Sequence, residues 1–195
     1  MRARICTVSA GTKNPQKSFA HKIAALQKQL GIPTDYAVQH QLVLQPECTD
    51  PVSIGKDVFG REQKMSAIAA SNWFDMKAAA ASNGIELQAV SAFRPVDYQA
   101  GIIKRKLDAG QRMEDILQVS AAPGYSEHHS GCALDLTTPG FEPLEEAFDG
   151  SPAFEWLTNS ARAHGFRLSY PKGNPHGMAY EPWHWCWHAG PSVYR

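Results

Sequence analysis

The sequence predicts an α+β fold, a mostly antiparallel sheet with helices packed on one side. Three observations carry that expectation. Apolar residues recur at helical spacing in several segments, and short alternating runs read as strands. The two kinds do not interleave in the regular βαβ rhythm that a parallel sheet requires. At 195 residues the chain is long enough to bury a core without disulfides or a metal to fold it.

In chain order, Asn14-Pro15 reads as an N-cap followed by proline at the first helical position. Phe19, Ile23, Leu26 and Leu30 then recur at helical spacing, Gly31 stops the run and Pro33 follows. Residues 1–33 are therefore expected to form a helical N-terminal extension, and residues 34–195 the main domain. Strand and turn signals run from about 36 to 59, with alternation around Leu42 and Leu44, then Asp50-Pro51 and Ile54-Gly55. The segment from about 62 to 82 reads as one helix that buries Met65, Ile68, Ala69, Trp73, Met76 and Ala80 and ends at Asn83-Gly84. A strand is expected near 86 to 92, a helix near 96 to 108 and a short helix around Met113, Ile116 and Leu117. A glycine-rich loop to Gly124 leads to a strand near 131 to 137. Ser151-Pro152 opens a helix that closes at His164-Gly165, and strands near 166 to 170 and 180 to 187 finish the domain.

Nineteen basic residues balance nineteen acidic ones for a formal charge of +0. A nucleic-acid partner is not expected, because such binders usually carry a basic excess. No apolar run approaches the roughly 18 residues of a membrane helix. The opening MRARICTVSAGTKNPQK lacks the h-region of an export signal, which predicts a cytoplasmic protein. Export information lost from the chain would place it in the periplasm or cell envelope. Cys6, Cys48, Cys132 and Cys186 are scattered and form no CxxC pair; free thiols are expected, with one or two disulfides as the alternative.

Chemistry-bearing residues gather in three segments. In Ser126-Glu127-His128-His129-Ser130-Gly131-Cys132-Ala133-Leu134-Asp135 an imidazole precedes a carboxylate by seven residues. On a strand Gly131, Ala133 and Asp135 share a face, so two positions with little side chain leave space beside an acid that burial penalises unless it is partnered. A metal would partner it; capping of nearby backbone amides is the plainer reading. The second segment, Tyr180-Glu181-Pro182-Trp183-His184-Trp185-Cys186-Trp187-His188, adds another carboxylate and imidazole. A zinc hydrolase needs three protein ligands, an open position and a nearby base. His128, Asp135 and His184 would supply the ligands and Glu181 the base, provided the backbone bends near Pro182. A rival set, His184, Cys186 and His188, would line one strand face. The third segment, Ser91-Ala92-Phe93-Arg94 with Gln99, offers an arginine for a carboxylate or an oxyanion.

Together the three segments resemble the zinc D-alanyl-D-alanine carboxypeptidases related to the vancomycin-resistance carboxypeptidase and dipeptidase. Ser126 to Asp135 matches their S-x-H-x-x-G-x-A-x-D pattern, Glu181 to His184 their E-P-W-H, and Ser91 to Arg94 with Gln99 their S-x-x-R followed by Gln. The resemblance spans roughly residues 50 to 188. It implies the hedgehog/DD-peptidase-like form of the α+β fold and one Zn2+ held by His128, Asp135 and His184. It implies Glu181 as catalytic base and Arg94 as the group that steadies the scissile carbonyl or the substrate carboxylate. Gln99 and Ser126 become expected substrate contacts, whereas His129 and Cys132 fall at variable positions; Trp183, from its own place between Glu181 and His184, is expected to shape the substrate pocket beside the metal, with plain core packing as the alternative. The implied substrate is a peptidoglycan stem peptide or muropeptide that loses its C-terminal D-alanine. An L,D-carboxypeptidase, a D-Ala-D-Ala dipeptidase and a non-catalytic hedgehog-like zinc module would use the same ligands. A structural zinc needs neither Glu181 nor Arg94, which favours the enzyme.

Overall fold

The computed structural model describes residues 15–190. Four strands, β3 (Gln88–Ser91), β4 (Ala133–Thr137), β5 (Phe166–Leu168) and β6 (His184–Trp187), form a sheet of order β3-β4-β6-β5. Every neighbouring pair is antiparallel. A separate hairpin joins β1 (Val52–Lys56) to β2 (Glu62–Met65). The expected α+β class is therefore present.

Register divides the four-stranded sheet into two chemically different faces. Leu134 lies opposite Trp185, and Asp135 opposite His184; directly opposed residues share a face. Leu134, Leu136 and Trp185 enter a core with Trp73 and Met76 of α3 (Ala67–Ser82), Leu157 of α6 (Pro152–Ser160) and Phe166. Ala69, Ala70 and Ala80 are the small buried residues that let α3 approach the sheet. Burying each large apolar side chain contributes about 1.5–3 kcal/mol. The other face carries Ala133, Asp135, His184 and Cys186. A register shift between Ala89 and Ser91 sets Ser91 opposite Asp135, which brings a third strand to that face.

A second cluster, Ile32, Tyr36, Ile103, Ile116, Leu117 and Ala122, joins α2 (Tyr36–Gln39), α4 (Val96–Asp108) and α5 (Met113–Val119). The N-terminal helix α1 (Pro15–Leu30) is docked on this side. Ile23 is buried, Gln27 Nε2 donates to the Pro123 carbonyl at 2.8 Å and Lys22 pairs with Asp97 at 2.7 Å. The expected Asn14 cap lies outside the described residues.

Four expected elements need correction. The helix expected from 62 begins only at Ala67, because residues 62–65 pair with β1 instead. The Asp57 carboxylate accepts from the Phe59 and Arg61 amides and fixes the hairpin turn, a local device that apolar periodicity does not register. Leu42 and Leu44 lie in no strand; that stretch is held by single bonds, Gln45 N–H to Gly124 O and Cys48 N–H to His129 O. The helix opened by Ser151, whose hydroxyl accepts from Phe154 N–H at 3.0 Å, is α-helical to Ser160 and a 3-10 turn from Ala161 to His164. The last strand starts at His184, because His184 N–H closes a turn onto Glu181 O.

Gly131 ends the 3-10 turn Glu127–Ser130 with φ +69°, and a Cβ there would lie 2.7 Å from the backbone nitrogen of Ser66. Left-handed backbone at a non-glycine residue costs about 1–3 kcal/mol, and here the clash with fixed backbone adds to it. Gly131→Ala should lower the unfolding free energy by at least that amount in urea titrations; an unchanged midpoint would show that the turn relaxes freely.

Candidate metal centre

The polar sheet face opens into a cleft of about 610 Å3 lined by Ser91, Arg94, Ser126, His128, Asp135, Glu181, Trp183 and His184 among others. At its floor the ligand atoms of His128, Asp135 and His184 lie within 4.8 Å of one another, and all three residues are buried. Local structure aims each one. The 3-10 turn after Ser126 carries His128, β4 carries Asp135 and the start of β6 carries His184.

Each ring is fixed by the nitrogen that faces away from the centre. His128 Nδ1 donates to Ala92 O at 2.6 Å, which turns the Nε2 lone pair inward, 3.3 Å from Asp135 Oδ2. Burial pushes the pKa of His128 down, so this ring is neutral and ligand-ready. His184 presents Nδ1 to Asp135 Oδ1 at 3.0 Å, while its Nε2 meets Glu127 Oε2 at 2.8 Å. Burial alone would lower the pKa of His184, but its bonds to Asp135 and Glu127 outweigh that and raise it. Burial would likewise raise Glu127 and Asp135, and the histidines hold both carboxyls low.

Two imidazoles and one carboxylate, backed by Glu127 on the far nitrogen of His184, fit a zinc ion with an open position. The donor set is compatible with a single zinc site.

Glu181 and His184 can face one point because the chain turns between them, as the sequence required. Glu181 N–H bonds Tyr170 O, His184 N–H bonds Glu181 O and Pro182 occupies the turn. Glu181 Oε2 ends 3.9 Å from His184 Nδ1, and burial pushes its carboxyl up to about 7. It stands beside the three donors without belonging to their group.

Arg94 is held by its neighbours. One Nη donates to Gln99 Oε1 at 2.8 Å, the other to Ser91 Oγ at 3.3 Å, with Asp135 Oδ2 at 3.6 Å. Gln99 is fully buried and gives its amide N–H to Ala121 O at 2.7 Å, so in this structure its amide orients Arg94. Ser126 and Trp183 line the cleft.

Sequence reasoning passed over three residues here. Glu127 orients His184 and also accepts from Ser169 Oγ at 2.6 Å. His129 bridges two loops: Nδ1 donates to Arg94 O at 2.6 Å and Nε2 accepts from Gly124 N–H at 3.1 Å. Lys106, on α4, reaches the same cleft and donates to Ser120 Oγ at 2.9 Å. The adjacency of Glu127 and His129 to His128 was the available signal. Lys106 gave none beyond its helical spacing from Gln99. The rival set is regrouped: His184 turns to Asp135, while Cys186 and His188 approach Glu127. Cys48, Cys132 and Cys186 are free, and Cys6 lies outside the described residues.

An antiparallel α+β domain with a buried His-Asp-His donor set and a spare carboxylate in an open cleft has the make-up of a mononuclear metallohydrolase. The chain belongs to the VanY family, described as D-alanyl-D-alanine carboxypeptidase, whose model matches residues 62–190. A D-alanyl-D-alanine carboxypeptidase of Enterococcus faecium is 40% identical over 63 residues, 31% of this chain and 19% of that protein. The chain spans a quarter or less of the length of the curated relatives it matches. The LD-carboxypeptidase LdcB superposes with a TM-score of 0.66 at 32% identity, covering 72% of this chain and 69% of that one. VanYB in complex with D-alanine-D-alanine shares the fold, with a TM-score of 0.58 at 21% identity over 75% of this chain and 84% of that one.

Proposed function

We propose that this chain is a zinc-dependent carboxypeptidase that releases the C-terminal D-alanine of peptidoglycan stem peptides. The observation that carries the reading is Glu181: a half-buried carboxylate with its pKa pushed up to about 7, 3.9 Å from a donor atom and outside the donor set. A site that merely held a structural ion would be closed by a fourth ligand. The likeness to LdcB favours cleavage at an L,D bond, the terminal bond of a tetrapeptide stem. The family description favours the D,D bond of a pentapeptide as the second reading.

Zinc held by His128, Asp135 and His184 would supply a Lewis acid for the scissile carbonyl and lower the pKa of a water. The protein's own groups do the rest. Glu181 takes a proton from the attacking water as its oxygen bonds the carbonyl carbon. The Arg94 guanidinium, fixed by Gln99 and Ser91, donates to the oxygen that becomes negative. As the C–N bond breaks, Glu181 returns the proton to the departing amine. With Arg94 given to the oxyanion, the substrate's terminal carboxylate falls to Lys106, a cationic side chain in the same cleft with donors beyond its bond to Ser120.

Two measurements test this. Zinc-loaded protein should release alanine from a tetrapeptide muropeptide faster than from a pentapeptide. The reverse order would favour the D,D reading, and release from neither would remove the peptidase. Lys106→Met should raise KM about 10- to 100-fold with kcat nearly kept, the loss expected when a charged hydrogen bond disappears from ground and transition state alike. The same variant should lose the preference for a free C-terminus over a C-terminal amide; a retained preference would place the carboxylate elsewhere.

A further inference from the structure

We propose that Glu127, Cys186 and His188 form a second metal site, behind the first, for a divalent cation of zinc-like softness. Their ligand atoms lie within 4.8 Å of one another. Cys186 lies two residues after His184 on β6, and His188 follows one residue beyond the strand's end at Trp187. The backbone there is pinned, Trp187 N–H to Cys132 O at 2.9 Å and His188 N–H to Gly165 O at 3.0 Å. Cys186 is buried, whereas His188 is exposed and gives an ion its way in.

The third ligand is available because of how Glu127 is used. The bonds from His184 Nε2 and Ser169 Oγ both fall on Oε2. Neither of these bonds uses Oε1, which is therefore the oxygen available to an ion beside Cys186 and His188, and a carboxylate can bridge in this way. One thiolate, one imidazole and one carboxylate suit zinc, cobalt or cadmium and disfavour magnesium or calcium, which prefer oxygen alone. Binding forms an Sγ–metal bond and releases the Cys186 thiol proton to solvent. Arg167 sits opposite Cys186 across the β5–β6 pair and brings a positive charge close by. The second site therefore binds more weakly than the first and fills after it.

Glu127 links the two. It orients His184 through Nε2, so a cation drawing on its charge weakens that hold. Excess zinc should then slow turnover.

The sulfur provides a readout that the first centre cannot give, since His128, Asp135 and His184 contain none. Metal-free protein titrated with cobalt(II) should bind two equivalents, the second accompanied by a thiolate-to-cobalt charge-transfer band in the near ultraviolet. The band should vanish in Cys186→Ser and in His188→Ala, and persist in His128→Ala, where the first centre is broken. If His128→Ala does not fold, loss of one equivalent together with the band in His188→Ala decides the matter. His188→Ala should keep wild-type activity at one equivalent of zinc and lose the inhibition by excess. Saturation of wild type at one equivalent with no thiolate band would overturn the site, as would a band that survives both Cys186→Ser and His188→Ala. The band reports sulfur ligation whether or not the protein cleaves muropeptides, so the two proposals fail separately.

Discussion

Glu181→Gln should leave a folded, zinc-loaded protein whose kcat has fallen by about 10²–10⁴, the usual contribution of a general base. The substitution keeps size and shape and removes only the capacity to accept a proton. Fold should survive because the turn that carries Glu181 is held by backbone bonds, Glu181 N–H to Tyr170 O and His184 N–H to Glu181 O. Zinc should survive because Glu181 is outside the donor group. Parallel measurement of metal content, melting temperature and alanine release separates the outcomes. Loss of zinc would make Glu181 a ligand and put Asp135 in question. Full activity with zinc retained would remove the general base from the mechanism.

Arg94→Lys should cost about 10²–10³ in kcat, the typical loss for one oxyanion donor. Gln99 and Ser91 hold the two Nη atoms in a planar fork beside Asp135. Lysine replaces that fork with a point charge that cannot bond both partners and still face the substrate. Gln99→Leu should give a smaller fall of the same kind, because it frees the guanidinium without removing it. Wild-type kinetics in Arg94→Lys would show that the oxyanion is stabilised by other groups.

Much of the site was legible in the sequence because its parts are local. The separation of seven from His128 to Asp135 covers a short turn and a strand, and the separation of three from Glu181 to His184 is one turn, so spacing nearly determines placement. Pro182 announced the bend. What stayed hidden depended on contacts distant in sequence. Glu127 meets His184 and Ser169 across separations of 57 and 42 residues. The register shift that turns Ser91 toward Asp135 leaves no trace in composition. For the fold, α4 was readable from its buried positions Val96, Gln99, Ala100 and Ile103. The β1–β2 hairpin was not, because Asp57 and its backbone partners override a helical pattern in residues 62–65. Alternation at Leu42 and Leu44 misled because a strand needs a partner, and none lies beside that stretch among the described residues.

Anomalous diffraction from crystals of the full chain grown with one equivalent of zinc tests the account most directly. The account predicts one strong peak within bonding distance of His128 Nε2, an Asp135 oxygen and His184 Nδ1, with the Glu181 carboxylate close by and not bonded. A peak bonded to Glu181, or one found only among Glu127, Cys186 and His188, would contradict it.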